Sequence, residues 1–212
     1  MEYKYTMNKN IYFTSDWHIG HENVLEYSKR PFDDVYHMHR VLINNYNSTV
    51  GNNDICYFLG DMGMHNGEDM KRVLSKLNSS TKILIMGNHD KKGRQYWHSC
   101  GFSAVMHAGS IRVANNTVTM SHCPLYGVWR EDTSGMRGHD GTQNWHGEEK
   151  QFKNGFSLPD FGQFHLHGHI HSPNSGKSTK ILGKQYDVGI DANGYRPVSI
   201  SVIESWIAKY GR

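Results

Sequence analysis

The sequence predicts a domain of the α/β class, and three observations carry that prediction. Three apolar runs, at 11–15, 55–59 and 82–86, each end at a polar turn, and continuous runs of about five residues are typical of strands covered on both faces. Two segments with helical spacing lie between them, which gives the order βαβαβ. Several further strand-like segments follow in the second half. With 212 residues, the chain is long enough for one domain with a core of ordinary size.

The two helical segments are 33–46 and 68–77. In both, apolar residues recur at the spacing that places them on one side of a helix. Asp33 or Asp34 is suited to cap the first helix, because a short carboxylate accepts hydrogen bonds from the free N–H groups of the first turn. We therefore predict two helices between the three strands.

The second half of the chain is predicted to be mostly extended. Its strand-like segments are 104–107, 110–113, 117–120, 164–166 and 186–190. Gly109 and the pair Asn115 and Asn116 predict turns between the first three segments, and Asp191 is predicted to be a turn residue after the last. The tail, 198–210, is predicted to begin extended and to end as a helix.

Residues 125–161 break this pattern. The segment is rich in glycine, tryptophan, histidine and charged residues and has no clear period, and long irregular segments in compact domains often serve as functional loops. We predict a loop or lid next to the substrate there, within a single domain that spans residues 1–212.

Composition narrows the classes of function. The formal net charge of +3 is too small to indicate nucleic-acid binding by charge alone. The first ten residues lack the apolar core of a signal peptide, and no apolar run approaches the ~20 residues of a membrane helix. We therefore expect a cytoplasmic protein that does not act at a membrane. Fifteen histidines are the anomaly, and neutral imidazole is a common metal ligand.

Five short polar blocks contain seven potential metal ligands. The blocks are Asp16-Trp17-His18, Gly60-Asp61, Gly87-Asn88-His89-Asp90, Ser121-His122 and Gly168-His169-Ile170-His171. The potential ligands within them are Asp16, His18, Asp61, Asn88, His122, His169 and His171. The first three blocks follow predicted strands directly, and in α/β sheets ligands collect at the carboxyl ends of strands. Asp61 is our candidate to bridge two ions, because a carboxylate has two accepting oxygens.

The ligand types indicate the kind of metal and the chemistry. Nitrogen and oxygen ligands without a thiolate suit Mn, Fe, Zn or Ni better than Ca or an all-cysteine zinc site. Two such ions, ~3.5–4 Å apart, lower the pKa of a bridging water, hold phosphoryl oxygens and position hydroxide for in-line attack. His89 has no ligand role in this arrangement. We expect it to stabilise the developing oxyanion or protonate the leaving oxygen, tasks worth roughly 10²–10⁴-fold in rate.

Taken together, the blocks resemble the calcineurin-like metallophosphoesterases. The pattern of that family is D-x-H, G-D, G-N-H-[ED], H and G-H-x-H, and every block is present across residues 16–171. The resemblance implies a four-layer α/β/β/α sandwich of two mixed β-sheets flanked by helices. It also implies two divalent transition-metal ions, manganese first, with iron, zinc or nickel as alternatives. Segments 18–21 and 29–32 look like a subgroup of small proteins from bacteria and their phages.

The resemblance also assigns roles to residues. It implies that the first ion is held by Asp16, His18, Asp61 and His171. It implies that the second ion is held by Asp61, Asn88, His122 and His169. His89 is then the catalytic histidine, acting beside Asp61. Some members of the family carry an acidic or imidazole residue three positions after the bridging aspartate. This chain has Met64 there, so the partner that orients His89 stays open, and His65 is an alternative.

Three further residues are candidate contacts to the substrate. His21 either touches the substrate or caps the helix that follows it. Arg30 either clamps a phosphate through its forked guanidinium or pairs with an aspartate at 33–34. Arg130 lies among aromatic residues in the irregular segment, which either stack a base and hold a phosphate or form the core of the loop itself.

Three functions are compatible with this sequence. The leading prediction is hydrolysis of a phosphate ester, a phosphodiester of a nucleotide-like small molecule, by attack of metal-bound hydroxide. A nuclease acting on DNA or RNA ends is the alternative. It requires a track of basic residues beside the metals, and the available residues are Lys91, Lys92, Arg94, Arg130 and Arg137. A non-catalytic binding scaffold is the third, but it usually lacks a ligand or the histidine at the position of His89.

Overall fold

The computed structural model describes residues 9–63, 67–78, 81–125, 157–172, 181–182 and 184–210. Within these ranges the chain forms ten strands, arranged in two five-stranded sheets, and five α-helices. The helices are α1 (Asn23–Tyr27), α2 (Val35–Asn47), α3 (Gly67–Leu74), α4 (Arg94–Ser99) and α5 (Ile200–Tyr210). None of the helices in these ranges combines the length and the apolar composition that crossing a membrane requires.

The first sheet contains the βαβαβ part of the sequence. Its strands are β1 (Ile11–Thr14), β2 (Ile55–Phe58), β3 (Thr81–Ile85), β4 (Ala104–Met106) and β10 (Val198–Ser199). Strands β1 to β4 are parallel neighbours in that order, and β10 pairs antiparallel with the free edge of β1. Because parallel neighbours require a crossover connection, helices separate these strands along the chain.

The second sheet is also mixed. Its strands are β5 (Ala108–Val113), β6 (Asn116–Ser121), β7 (Phe164–His167), β8 (Ile181–Leu182) and β9 (Gln185–Asp187). The spatial order is β5-β6-β7-β9-β8, with β6, β7 and β9 parallel and the two edge strands antiparallel to their neighbours.

Two buried clusters hold these layers together. The first joins helices α2, α3 and α4 to one face of the first sheet, and it includes Met38 of α2 and Phe58 of β2. The second lies between the sheets, where Phe13 of β1 and Leu166 of β7 belong to the same buried cluster. Helix α5 closes this second cluster with Trp206. The predicted α/β sandwich of two mixed sheets flanked by helices is confirmed.

The differences from the sequence prediction are local. The predicted strands and both predicted helices are present, with small shifts at their ends. The turn predicted at Gly109 is wrong, because Gly109 lies inside β5 opposite Met120 and the chain bends at His107 instead. Helices α1 and α4 and strand β8 were not predicted, since they are too short for a period to appear. Residues 126–156 of the predicted lid lie outside the described residues.

Candidate metal centre

The predicted ligands lie on loops that leave the carboxyl ends of neighbouring strands. Asp16 follows β1 and Asp61 follows β2, and the backbone N–H of His18 donates to the carbonyl of Asp61 over 3.0 Å. The second sheet reaches the same edge, which we call the rim. There Gly189, which follows β9, forms an isolated parallel bridge with Ser15, which follows β1. The strand order therefore brings together blocks that are far apart in the sequence.

Five of the seven predicted ligands have a backbone in the left-handed region. They are Asp16 (φ 61°), His18 (φ 50°), Asp61 (φ 52°), His169 (φ 72°) and His171 (φ 46°). Residues other than glycine seldom adopt such values, and each costs on the order of 1–3 kcal/mol. Strain of this kind concentrates at functional sites, where the surrounding structure fixes side chains that relaxed loops would leave free.

Asp90 stabilises the backbone of the two loops that follow β2 and β3. Its buried carboxylate accepts hydrogen bonds from the backbone N–H groups of Asp61 (2.8 Å), Met62 (3.0 Å) and Gly87 (2.8 Å). Burial, and then the nearby Asp61, raises the pKa of Asp90 to about 7, while the N–H donors favour its ionised form. No role was predicted for Asp90, although the acidic last position of its block is the signal that could have revealed one.

The first cluster of ligand atoms joins Asp16, His18 and His171, whose ligand atoms all lie within 4.8 Å of one another. The Nε2 atoms of His18 and His171 are 3.2 Å apart, and Nε2 of His171 is 4.0 Å from Oδ1 of Asp16. The backbone N–H of His169 donates to both carboxylate oxygens of Asp16, over 3.1 and 3.0 Å. The loop after β7 of the second sheet thereby holds the carboxylate of Asp16 in place.

The second cluster surrounds His122. Its Nε2 lies 3.2 Å from Oδ2 of Asp61, 3.0 Å from Oδ1 of Asn88 and 3.2 Å from Nδ1 of His169. The same Oδ2 of Asp61 lies 3.7 Å from Nε2 of His18 in the first cluster. Asp61 therefore faces both clusters.

His122 directs one ring nitrogen into the second cluster. Nδ1 lies 2.7 Å from the carbonyl oxygen of Leu59, which can only accept, so Nδ1 carries a proton. Nε2 faces oxygens of Asp61 and Asn88, which are acceptors as well. Burial would lower the pKa of His122, but Asp61 raises it to about 10, so without a metal a proton on Nε2 satisfies these acceptors at neutral pH. A metal ion can replace that proton, because Nε2 and the two oxygens are a nitrogen and oxygen donor set of the kind that binds metals.

The neighbouring histidines are in the form that binds metals. Burial, and then His171, lowers the pKa of His18 well below its ordinary value. Burial, and then His122, lowers the pKa of His169 to about 3. Both rings are therefore neutral at physiological pH and offer ring-nitrogen lone pairs.

His89 and His21 lie at the open side of the clusters. Nε2 of His89 is 3.9 Å from Oδ2 of Asp61, and about a third of the side chain is exposed. The ring of His21 lies 6.3 Å from the ring of His89, and its Nδ1 is 3.4 Å from Nδ1 of His18. Both imidazoles are therefore within reach of a molecule bound at the clusters.

The interpretation of Arg30 as a substrate contact is wrong, and so is its pairing with an aspartate at 33–34. The guanidinium is buried and donates to both carboxylate oxygens of Asp191 over 2.8 Å. Asp191 begins a short 3₁₀ turn, but it also accepts from Nδ1 of His171 over 2.7 Å, so it is more than the predicted turn residue. Arg130, Met64 and His65 lie outside the described residues.

Cys123 is the cysteine nearest the clusters among the described residues. Its sulfur lies within 4.8 Å of ligand atoms of His122 and His169. Burial, and then Asp61, raises the pKa of this thiol to about 12, so it stays protonated at neutral pH. The thiolate is the form that binds metals and attacks substrates, so neither role is assigned to Cys123.

Comparison with known proteins gives relatives in archaea and phages. No family model matches the chain. Gene 66 protein of Mycobacterium phage L5 is 32% identical over 197 residues, which cover 87% of this chain and 88% of the phage protein. Gene 66 protein of Mycobacterium phage D29 is 30% identical over 200 residues, with coverage of 86% and 88%. An uncharacterised protein of Methanocaldococcus jannaschii, MJ1445, is 40% identical over 89 residues, or 42% of this chain and only about half (51%) of that protein.

Two solved structures are also similar. The crystal structure of AQ665 from Aquifex aeolicus, a protein of unknown function, has a TM-score of 0.63 and 25% identity, and the match covers 94% of this chain and all of AQ665. The phosphoesterase YfcE from E. coli has a TM-score of 0.38 and 15% identity, with coverage of 86% and 79%. AQ665 shares the fold, whereas the overlap with YfcE is too low to assign a function.

Proposed function

The chain belongs to the family of the gene 66 proteins of Mycobacterium phages L5 and D29, and we propose that it is a metal-dependent phosphoesterase with two metal sites. The substrate that we propose is a phosphodiester of a nucleotide-like small molecule. The five blocks that resemble the calcineurin-like metallophosphoesterases support the class of reaction, and the geometry of the rim supports the metals.

One observation carries the proposal: nitrogen and oxygen atoms that can bind a metal converge in two buried groups. Nε2 of His122 faces Oδ2 of Asp61 at 3.2 Å and Oδ1 of Asn88 at 3.0 Å. Nε2 of His18 faces Nε2 of His171 at 3.2 Å. Two divalent ions would take the place of the protons in these groups, and mixed nitrogen and oxygen ligands suit manganese, with iron, zinc or nickel as alternatives.

The resemblance assigns the roles of the residues, and their positions are compatible with that assignment. The first site is assigned to Asp16, His18, Asp61 and His171. The second site is assigned to Asp61, Asn88, His122 and His169. When bound, two such ions lower the pKa of a shared water and neutralise charge on a phosphoryl group. Asp61 sets the spacing of the sites, because its Oδ2 lies 3.7 Å from His18 and 3.2 Å from His122.

His89 is assigned the proton transfer to the leaving oxygen. Its side chain is partly exposed and lies 3.9 Å from Oδ2 of Asp61, so it borders the space that a phosphoryl group would occupy. Its backbone N–H donates to Oδ1 of Asp61 over 2.9 Å, which holds the residue against the site. His21, beside His18 and His89, is proposed as a contact to the substrate.

A nuclease is the second candidate, and one observation favours it. Lys91, Lys92 and Arg94 lie two, three and five positions after His89 and are all exposed, which places cations near the candidate active histidine in the sequence. A phosphate backbone would be attracted to such cations, with binding that weakens steeply as salt increases. The small net charge of +3 favours the small-molecule substrate over this alternative.

The test is hydrolysis of a panel of substrates with added Mn²⁺. The panel contains p-nitrophenyl phosphate, bis-p-nitrophenyl phosphate, cyclic nucleotides and a labelled oligonucleotide, each with the wild type, Asp61→Asn and a control variant, Asp54→Asn. Asp54 is a buried aspartate at the amino end of β2, where it accepts hydrogen bonds from the backbone of Asn10 and Gly51.

We expect turnover of the diesters that is lost with a chelator and in Asp61→Asn but retained in Asp54→Asn. Turnover of the oligonucleotide alone, with steep salt dependence, would favour the nuclease. Two bound metals without turnover on any substrate would contradict the enzyme and favour a scaffold.

A further inference from the structure

We propose, on the basis of the function proposed above, that Arg30 and Asp191 form a buried positioning pair that makes the site containing His171 the tighter of the two metal sites. Neither residue belongs to the five blocks. The pair contacts the site through the side chain of one ligand and through the backbone that carries two others.

The pair itself is unusual in its burial. The side chain of Arg30 is fully buried and that of Asp191 is 4% exposed, and Nε and Nη2 of the arginine donate to the two carboxylate oxygens over 2.8 Å each. A buried ion pair is weak evidence for stability, because the cost of removing both charges from water offsets their attraction. The position of this pair therefore requires a reason other than stability of the fold.

The carboxylate of Asp191 provides that reason on its other side. Its Oδ2 lies 2.7 Å from Nδ1 of His171, and Oγ of Ser28 lies 3.2 Å from the same nitrogen. Because an ionised carboxylate only accepts, Nδ1 carries a proton, and Nε2, which faces the cluster with His18, is the nitrogen available to a metal. A carboxylate behind a histidine ligand fixes the ring and makes it a stronger donor to a metal.

In the second site, His122 also has a buried acceptor behind its Nδ1, but that acceptor is uncharged. Nδ1 of His122 donates to the carbonyl of Leu59 over 2.7 Å. A carbonyl fixes the tautomer and the ring, as a carboxylate does, but it has no charge to strengthen the opposite nitrogen. The two sites are therefore built to hold their ions with different affinity.

The guanidinium of Arg30 also holds the backbone of the first block. Nη2 donates to the carbonyl of Asp16 over 2.7 Å, and Nη1 lies 3.3 Å from the carbonyl of Trp17. These carbonyls flank the strained backbone of Asp16 and His18, whose φ values are 61° and 50°. The guanidinium of Arg30 thus fixes three ligands of the first site. It holds Asp16 and His18 through the backbone and His171 through Asp191.

The test is titration of the metal-free protein with Zn²⁺ alone in competition with a chromophoric chelator. We expect the wild type to bind two ions in two steps separated by about tenfold or more. Asp191→Asn should weaken the tighter step by about 10–100-fold, the usual effect of losing a group that supports a ligand, and leave the weaker step unchanged. The control Asp54→Asn, a buried aspartate far from the rim, should change neither step.

A double-mutant cycle separates positioning from a general structural effect. In a His171→Ala background, Asp191→Asn should cause no further loss of affinity, because its effect passes through His171. If Asp191→Asn alone does not fold, the double variant Arg30→Gln/Asp191→Asn, which removes both buried charges together, takes its place. Because Arg30 also contacts the backbone of Asp16 and Trp17, only the part of the loss that disappears in the His171→Ala background is then assigned to Asp191. Thermal unfolding of each metal-free protein shows which variants are folded.

Two results would overturn the proposal and leave the proposed function intact. One is a wild type that binds two ions with equal affinity. The other is an effect of Asp191→Asn that persists undiminished without His171. A wild type that binds no metal would overturn the proposed function, and this proposal with it.

Discussion

Gly168 lies so close to the first block that a single methyl group there should damage the metal centre. A Cβ at Gly168 would stand 2.6 Å from Cβ of Ser15, and it would overlap Oγ of Ser15 and Oδ2 of Asp16 still more closely. Ordinary contact begins at 3.4 Å. Ser15 and Asp16 are both fully buried, so neither can move into solvent. Gly168 itself does not have a left-handed backbone, so the effect of alanine is purely steric.

The size of the effect follows from these distances. The carboxylate of Asp16 must be displaced by most of an ångström, and displacements near 1 Å at a catalytic site cost on the order of 10²-fold in rate. Overpacking of this kind also destabilises a core by about 1–3 kcal/mol. We therefore expect Gly168→Ala to fold, to lose metal during dialysis and to lose roughly 10²-fold in kcat/KM.

The matched control is Gly93→Ala. Gly93 precedes α4 with φ −65° and ψ 159°, and a Cβ there would meet nothing within 4 Å. Metal content after dialysis and kcat/KM on the best diester of the panel are measured for both variants. Wild-type metal content and turnover in Gly168→Ala would refute the reasoning that the close approach of the two loops builds the site.

Three further predictions concern single side chains. His89→Ala should keep both metals at wild-type affinity and lose roughly 10²–10⁴-fold in kcat, and an unchanged kcat would remove His89 from the mechanism. Asp61→Asn should lose metal from both sites, as metal analysis can show, because its carboxylate faces both clusters; two tightly held ions would contradict the bridge. Acid should destabilise the fold through His165, whose pKa burial, and then His167, lowers from 6.5 to about 3. Below pH 6.5 the unfolded chain binds one more proton at this residue than the folded chain does. The free energy of unfolding should therefore fall by about 2–3 kcal/mol between about pH 6.5 and 4.5. Urea titrations should show a smaller fall for His165→Gln than for the wild type.

Much of the rim could be predicted because its signals are local. Each of the first three blocks directly follows an apolar strand, and parallel strands end at the same edge of a sheet, so adjacency in sequence implied convergence in space. The structure brings all seven predicted ligands to this rim. Their assignment to two ions came from the resemblance alone.

The supports of the rim could not be predicted, because they depend on contacts that the sequence pattern does not contain. Arg30 and Asp191 are separated by 161 positions, and aspartates at 33–34 offered a nearer partner. The carboxylate of Asp191 belongs to a short 3₁₀ turn whose place beside His171 is fixed by the pairing of β7 and β9. Helices α1 and α4 were missed for a simpler reason, since one or two turns of helix contain too few residues to reveal a period.

The strained backbone of the ligand loops explains why buried charges support them. A left-handed residue other than glycine costs on the order of 1–3 kcal/mol, whereas a hydrogen bond to a charged group contributes about 1.5–3 kcal/mol. Asp90 accepts three backbone N–H bonds around Asp61, and Arg30 donates to the carbonyls of Asp16 and Trp17. The strain of the loops at Asp61 and at Asp16 is thus offset by a buried carboxyl or guanidinium group in contact with each loop. Loss of either group should therefore distort the metal centre before it unfolds the domain.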